Sequence, residues 1–373
     1  MRRQKSISEA LFKATRKAGM GRLMDVTRLL QHALMNGVNR PVVHPSPARP
    51  PTAPARSAGS KSAANDTVIY MPPPARAEPA IPRGAASFAE YSFTFERKKY
   101  PYRLHIPATP VTGWPTQMPL IVLLHGCQQN SQDFARGTAM NDLADQQGCM
   151  VLYPEQISSA NAQRCWNWFE PDHQQLGHGE PGMIAALTKH VLATHQGTDG
   201  ADPARVYIAG LSAGGAMAAV VAGLYPDIFA ALGVHSGLAT GAAQDLMSAF
   251  GAMRRGAKGQ GAPALPTIVF HGDADRTVHP DNGEHISDAA LVALRSTGLS
   301  LVKSRVKLAA AEGQTTERTI YRTADGPSYV EHWRVDDGPH AWSGGNAAGS
   351  FTDPDGPSAS AAMLAFFLQH RKT

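Results

Sequence analysis

Val206-Tyr207-Ile208-Ala209-Gly210-Leu211-Ser212-Ala213-Gly214-Gly215 is the stretch on which the rest of the chain turns. A β-branched, apolar run stops at Gly-x-Ser-x-Gly, and Ala- and Val-rich sequence of helical character follows. The five-residue pattern is common by chance. Placed between a strand and a helix, it describes a sharp turn that lifts a serine to the carboxyl end of the strand. Such a turn strains the serine backbone and brings strand and helix close together, which Gly210 and Gly214 permit. Ser212 is therefore the candidate nucleophile. The Ala213 N–H, in the first helical turn, is a candidate donor to a developing oxyanion.

Strands are expected on both sides of this turn. Leu120–Leu124 is a continuous apolar run, the mark of a strand buried on both faces. Met150–Tyr153 is another and ends at Pro154-Glu155. A helix is expected at Gly182–His195, and further strands at Leu232–Val234, Thr267–Phe270 and Tyr329–Val335. Tyr91–Glu96 and Tyr102–Pro107 alternate like a hairpin, and Ala359–His370 reads as a closing helix. Strands alternating with helices predict an α/β domain with a mostly parallel sheet and helices on both faces, over residues 85–373. In such sheets ligands bind at the carboxyl ends of the strands. Each candidate motif falls at such an end.

A serine hydroxyl is a weak nucleophile near neutral pH. It needs a base to take its proton and a third group to orient that base. Downstream, Phe270-His271-Gly272-Asp273-Ala274-Asp275-Arg276-Thr277-Val278 places two carboxylates in a loop after a strand. Asp275, deeper in the loop, is favoured as the orienting acid, with Asp273 holding the loop. Asp336 and Asp337 are weaker alternatives, because they sit too near the base in sequence to face its ring. Asp337-Gly338-Pro339-His340-Ala341-Trp342 offers that base, His340, in a glycine-flanked loop. A second oxyanion donor is expected from His125-Gly126-Cys127-Gln128, through the amide of Cys127 or Gln128. His125 and His271 read as structural anchors of His-Gly turns. Cys165-Trp166-Asn167-Trp168-Phe169 is dense in aromatics, which are usually core. Here they are expected to serve partly as a substrate wall, with Trp166 and Trp168 facing substrate and Trp342 as companion beside His340. The stretch 238–265, with Met247, Phe250 and Met253, reads as a cover over the site or a surface insertion.

The chain has 373 residues and a net charge of +5. That charge is unevenly placed. Residues 1–40 carry nine Lys/Arg against two acids, and residues 41–83 carry five against two, so the remainder is at −5. A basic leader on a mildly acidic domain points to an anionic or amphiphilic surface rather than nucleic acid. Residues 6–36 carry apolar residues at helical spacing with Lys and Arg between them, as in a surface-seeking amphipathic helix within a leader at 1–40. Eleven prolines fall in 41–83, so a disordered linker is expected over 41–84. No apolar run is long enough to span a bilayer. The leader lacks the continuous apolar segment and cleavage site of a secretory signal, so a cytoplasmic or granule-associated location is expected. Cys127, Cys149 and Cys165 are too few for a disulfide framework and lack zinc-ligand spacing.

Leu124-His125-Gly126-Cys127, Cys165-Trp166-Asn167-Trp168, Gly210-Leu211-Ser212-Ala213-Gly214, His271-Gly272-x-x-Asp275 and Gly338-x-His340-Ala341-Trp342 together resemble the polyhydroxybutyrate depolymerase family of esterases. The resemblance runs over roughly residues 90–370. It implies an α/β-hydrolase fold and hydrolysis of carboxylic esters, with Ser212, Asp275 and His340 as triad and no metal or organic cofactor. The expected substrate is a polyhydroxyalkanoate or its oligomers, with residues 6–36 as a contact to a polymer or granule surface. Because the family also holds feruloyl- and acetylxylan-type esterases, a plant-cell-wall ester is the alternative. A third reading, of another class, is a granule- or membrane-surface binding protein. Many members are secreted, which sets an extracellular location against the expectation from the leader. Cys127 and Cys165 both lie in motifs of the resemblance, which implies a disulfide between them.

Overall fold

The computed structural model describes residues 68–70, 85–108, 117–197, 200–309 and 314–372. The leader helix expected at 6–36 lies outside the described residues, as does most of the linker expected at 41–84. Within that linker, β1 (Val68–Tyr70) is a strand. Three consecutive β-branched or aromatic residues, clear of the flanking prolines, suit one short extended segment.

Among the described residues, eleven strands form one sheet. The hairpin of β2 (Ser87–Phe95) and β3 (Lys98–Ile106) makes one edge. β4 (Gln117–Leu124) leads through α1 (Ser131–Thr138) and α2 (Met140–Gln147) to β5 (Met150–Pro154), which inserts between β3 and β4. α3 (Gly179–Thr194) then leads to β6 (Gly200–Leu211), α4 (Ala213–Leu224) and β7 (Ala231–His235). α5 (Leu246–Arg255) precedes β8 (Thr267–Gly272), and α6 (Asp281–Ser296) follows it. β9 (Val302–Ala309), β10 (Thr316–Arg322) and β11 (Ser328–Val335) complete the sheet. A two-stranded ribbon, β12 (Trp342–Ser343) with β13 (Thr352–Asp353), precedes α7 (Ala359–Phe367). The order across the sheet is β1-β9-β10-β11-β8-β7-β6-β4-β5-β3-β2. The six central strands from β11 to β5 run parallel, and antiparallel pairs flank them on either side. This is the α/β-hydrolase arrangement.

The continuous apolar runs follow from burial on both faces. Successive residues of a strand point to opposite sides. Leu120, Val122 and Leu124 of β4 therefore join one core, with Val206 and Ile208 of β6 and with α3 and α4. Ile121 and Leu123 join the other, with Tyr207, Ala209 and Leu211 and with α2 and α7. No polar stripe survives on strands covered twice. The outer strands differ. β9 and β10 carry charged residues along most of their length and were not evident from apolar patterning. Their place is set by antiparallel pairing with β11.

The close approach of α4 to the sheet sets the position of Ser212. A Cβ added to Gly214 would lie 2.2 Å from the Leu124 carbonyl oxygen and 2.5 Å from that of His125. Both obstacles are backbone, so they cannot swing aside. Gly214→Ala is expected to lower stability by about 3 kcal/mol through overpacking, and a thermal melt of the variant beside wild type measures it.

Candidate active site

Ser212 sits at the junction of β6 and α4 with φ 57° and ψ −121°, a left-handed backbone rare for a residue with a side chain. Such a conformation costs on the order of 1–3 kcal/mol and persists only where the surroundings enforce it. They do so here through backbone. The Ser212 N–H donates to the His235 carbonyl at 2.8 Å, and its own carbonyl accepts from Ala216 N–H at 2.9 Å.

Three loops converge on this serine. His340 Nε2 lies 2.9 Å from Ser212 Oγ, and His340 Nδ1 lies 2.6 Å from Asp275 Oδ2. Asp275 is the acid in contact, as expected from the loop. Its other oxygen, Oδ1, accepts the N–H groups of Thr277 (2.8 Å) and Val278 (2.9 Å). Burial alone would raise this carboxyl. Hydrogen bonding to His271 and His340 and their charge interactions overcome that and hold it far below the usual carboxylate range. Asp273 has the loop-holding place: its Oδ1 accepts Asp337 N–H at 2.6 Å, and Arg334 reaches its Oδ2 at 3.2 Å. Asp336 is hydrogen-bonded by the Thr315 hydroxyl.

The acid and base loops are joined through backbone. Asp273 N–H donates to the Val335 carbonyl (3.0 Å), and Ala274 N–H to the Gly338 carbonyl (3.1 Å). A Cβ on Gly272 would lie 2.1 Å from that Gly338 oxygen, so glycine is required there. The connection between β12 and β13 is tied to the segment after β4, where Gln129 Nε2 donates to the Ser350 carbonyl at 2.9 Å.

The two oxyanion alternatives are separated by hydrogen bonding. Gln128 N–H donates to the Gln163 carbonyl at 2.7 Å and is therefore already engaged, which counts against it as an oxyanion donor. The amides of Cys127 and Ala213 make no hydrogen bond among the described residues. Cys127 is held by a disulfide to Cys165, the pairing the resemblance implied. With a sequence separation of 38, such a link contributes about 4 kcal/mol in the chain-entropy account. Cys149 is a buried free thiol pushed up to about 12 by burial and is inert. His125 has the anchoring role expected of it. Its Nε2 accepts Gln156 N–H (3.1 Å), so Nδ1–H donates to the Gly126 carbonyl (2.8 Å).

The tryptophans are a correction. Trp166 and Trp342 are 0% and 1% exposed, and Trp168 is 4% exposed, so none forms an open wall. Trp166 Nε1 donates to the His125 carbonyl at 3.1 Å and braces the oxyanion loop from behind. Trp342 Nε1 donates to Ser360 Oγ at 2.9 Å while its ring stacks on His235. The aromatics pack as core. In the stretch 238–265, α5 forms a capped helix with Met247 exposed and Met253 half-buried against the core.

The sequence reading missed His235. It lies between Phe270 and Trp342, and its Nε2 accepts Ser343 N–H at 3.0 Å. Only a neutral ring can accept there. Burial first, then the neighbouring His271 and His340, push it down to about 3. Its one signal was position: it ends a strand beside the serine strand.

The family model described as "Esterase PHB depolymerase" matches residues 101–300. The chain is 34% identical over 193 residues to poly(3-hydroxyalkanoate) depolymerase C of Paucimonas lemoignei, covering 48% of this chain and 44% of that protein. It is 37% identical over 135 residues to feruloyl esterase B of Thermothelomyces thermophilus, covering 36% of this chain and 44% of that protein. The chain thus spans less than half the length of either relative. An acetyl xylan esterase from Aspergillus awamori superposes with a TM-score of 0.52 at 19% identity, covering 68% of this chain and 94% of that one. At that identity the likeness is one of fold.

The buried imidazoles make stability depend on pH. His332 is also pushed down to about 3 and His370 to about 4, burial being the leading cause in each. Unfolding restores ordinary values near 6.5, so below that pH the unfolded chain binds more protons and stability falls as pH drops toward 3–4. From its own shift, His235 accounts for about 2 kcal/mol of the loss between pH 7 and pH 5. Urea midpoints measured over that range are expected to fall, and the dependence to flatten in His235→Gln.

Proposed function

We propose that this chain, which belongs to the esterase PHB depolymerase family, is a serine hydrolase of carboxylic esters. The observation that carries the reading is the unbroken line Ser212 Oγ, His340 and Asp275, with contacts of 2.9 and 2.6 Å from three distant segments. His340 Nε2 takes the proton as Ser212 Oγ attacks the ester carbonyl. Its Nδ1–H stays on Asp275, whose ionised carboxylate orients the ring and stabilises the imidazolium. The amides of Ala213 and Cys127 stabilise the oxyanion, each worth ~100–1,000-fold in rate. His340 returns the proton to the leaving alcohol, and water then hydrolyses the acyl-enzyme by the same relay. Every step is supplied by protein side chains and backbone amides.

The proposed substrate class is a polyhydroxyalkanoate or its oligomers, supported by the 34% identity to a poly(3-hydroxyalkanoate) depolymerase. The 37% identity to a feruloyl esterase favours a plant-cell-wall ester as the second reading. The basic leader is proposed to hold the enzyme on the polymer or granule surface. Among the described residues no helix is long and apolar enough to cross a membrane.

Ser212→Ala is expected to cut hydrolysis of a short-chain nitrophenyl ester by ~10⁶-fold with the circular dichroism spectrum unchanged. Asp275→Asn should cost ~10⁴-fold. Retained turnover in either variant overturns the mechanism. Rates on hydroxybutyrate oligomers against feruloyl and acetylated sugars decide between the substrate classes. Deleting residues 1–40 should leave soluble-ester turnover intact and abolish sedimentation with polymer particles.

A further inference from the structure

Asp275 touches two histidines. Beyond His340, its Oδ2 faces His271 Nε2 at 3.4 Å. The same His271 nitrogen lies 2.9 Å from the Val278 carbonyl oxygen. Both neighbours are acceptors, so Nε2 carries the proton and is shared between them. Val278 is thereby gripped at both ends of its peptide: its N–H donates to Asp275 Oδ1 while its carbonyl accepts from His271. His271 closes the turn that presents the carboxylate to His340.

In its neutral form, with the proton on Nε2, His271 has a bare Nδ1. The ring is 1% exposed, and Nδ1 has no partner among the described residues. One other imidazole nitrogen, His332 Nε2, is buried and unpartnered at the same spot. His332 lies on β11, diagonally across from His271 on the same face of the sheet, since His332 pairs with Val269 and Arg334 with His271. The two orphaned nitrogens lie 3.0 and 3.1 Å from the point where a Cβ of Gly283 would stand. A lone acceptor and a ring able to donate thus both border Gly283, where a methyl group would crowd them. Leaving two polar atoms buried and unpaired costs about 1–3 kcal/mol each, which favours a partner shared by both.

We propose, resting on the Ser212–His340–Asp275 reading, that His271 and His332 form a buried positioning pair for the Asp275 carboxylate. His332 Nε2–H serves His271 Nδ1 through one bridging water beside Gly283, since the two nitrogens make no direct hydrogen bond. That contact fixes the tautomer in which His271 Nε2–H holds Val278 and Asp275. Burial pushes the His332 imidazole down to about 3, consistent with a neutral ring carrying a single N–H.

The test is a set of variants in the full chain, each checked for folding by circular dichroism and assayed on a nitrophenyl ester. His271→Leu keeps apolar volume and removes the donor. It is expected to lower kcat by about 10- to 100-fold with KM unchanged, the scale of a misplaced reacting group, and to shift the far-downfield proton resonance of the His340–Asp275 hydrogen bond. His271→Gln restores an N–H donor and should recover kcat to within about threefold of wild type. Gly283→Ala crowds both nitrogens and His332→Phe removes the donor, neither touching the triad, and both should lower kcat in the same sense and move the same resonance. A His271→Leu protein with wild-type kcat and an unmoved resonance overturns the pair. So does a His271→Gln protein as impaired as His271→Leu, or Gly283→Ala and His332→Phe proteins with wild-type kcat. Asp275→Asn run alongside separates the two readings: full activity there sinks the triad itself, whereas loss there with His271→Leu intact sinks only the pair.

Discussion

The strained peptide at Ser212 is the constraint on which the rest of the structure depends. A left-handed backbone at a residue with a side chain is unfavourable, and the molecule holds it by packing backbone against backbone. β6 must end where α4 begins. α4 must lie against the carbonyls of Leu124 and His125, and β7 must offer the His235 carbonyl to the serine N–H. Parallel strands provide this because their carboxyl ends all face one way, bringing the loops after β4, β6, β7, β8 and β11 to the same edge. The strain is offset by two cores, one on each face of the sheet, which keep β4 and β6 in register.

Around that turn lies a shell of buried polar groups more than an open aromatic cleft. His125, Gln156, Glu180 and Asn167 form one connected network behind the loop that follows β4. Glu180, 3% exposed, accepts from Gln156 Nε2, Asn167 N–H and Asn167 Nδ2. Buried carboxylates persist where such donors surround them. The disulfide and Trp166 attach the same loop from its other side. Positioning here comes from hydrogen bonds among buried groups, where each contact is strong and each missing partner is costly.

Much of this was legible in the sequence for a physical reason. Strands buried on both faces are apolar throughout, so Leu120–Leu124, Met150–Tyr153 and Val206–Ala209 announce themselves. Glycines in forced backbone positions mark the turns where chemistry is placed. Asp275 was separable from Asp273 by depth in the loop. Less was legible where one residue type serves two environments. Tryptophans at the site read as a substrate wall, yet Trp166 and Trp342 are core, because burial depends on what packs behind them. Cys127 and Gln128 are adjacent amides, and only the partner of Gln128, Gln163, distinguishes them. His235 carries no motif; its role comes from Ser343, far away in sequence. β9 and β10 were silent because a charged outer strand has no distinctive pattern.

The contact between Gly272 and Gly338 has a mechanical consequence. Two peptide hydrogen bonds and one glycine-to-glycine touch join the loop bearing Asp275 to the loop bearing His340. The carboxylate and the imidazole therefore travel as one unit, while the hydroxyl rides on a separate helix-bearing frame. Under the proposed mechanism, any displacement between the two units would fall at the seam between histidine and serine. The 2.6 Å link lies within one unit, and the 2.9 Å contact bridges the two.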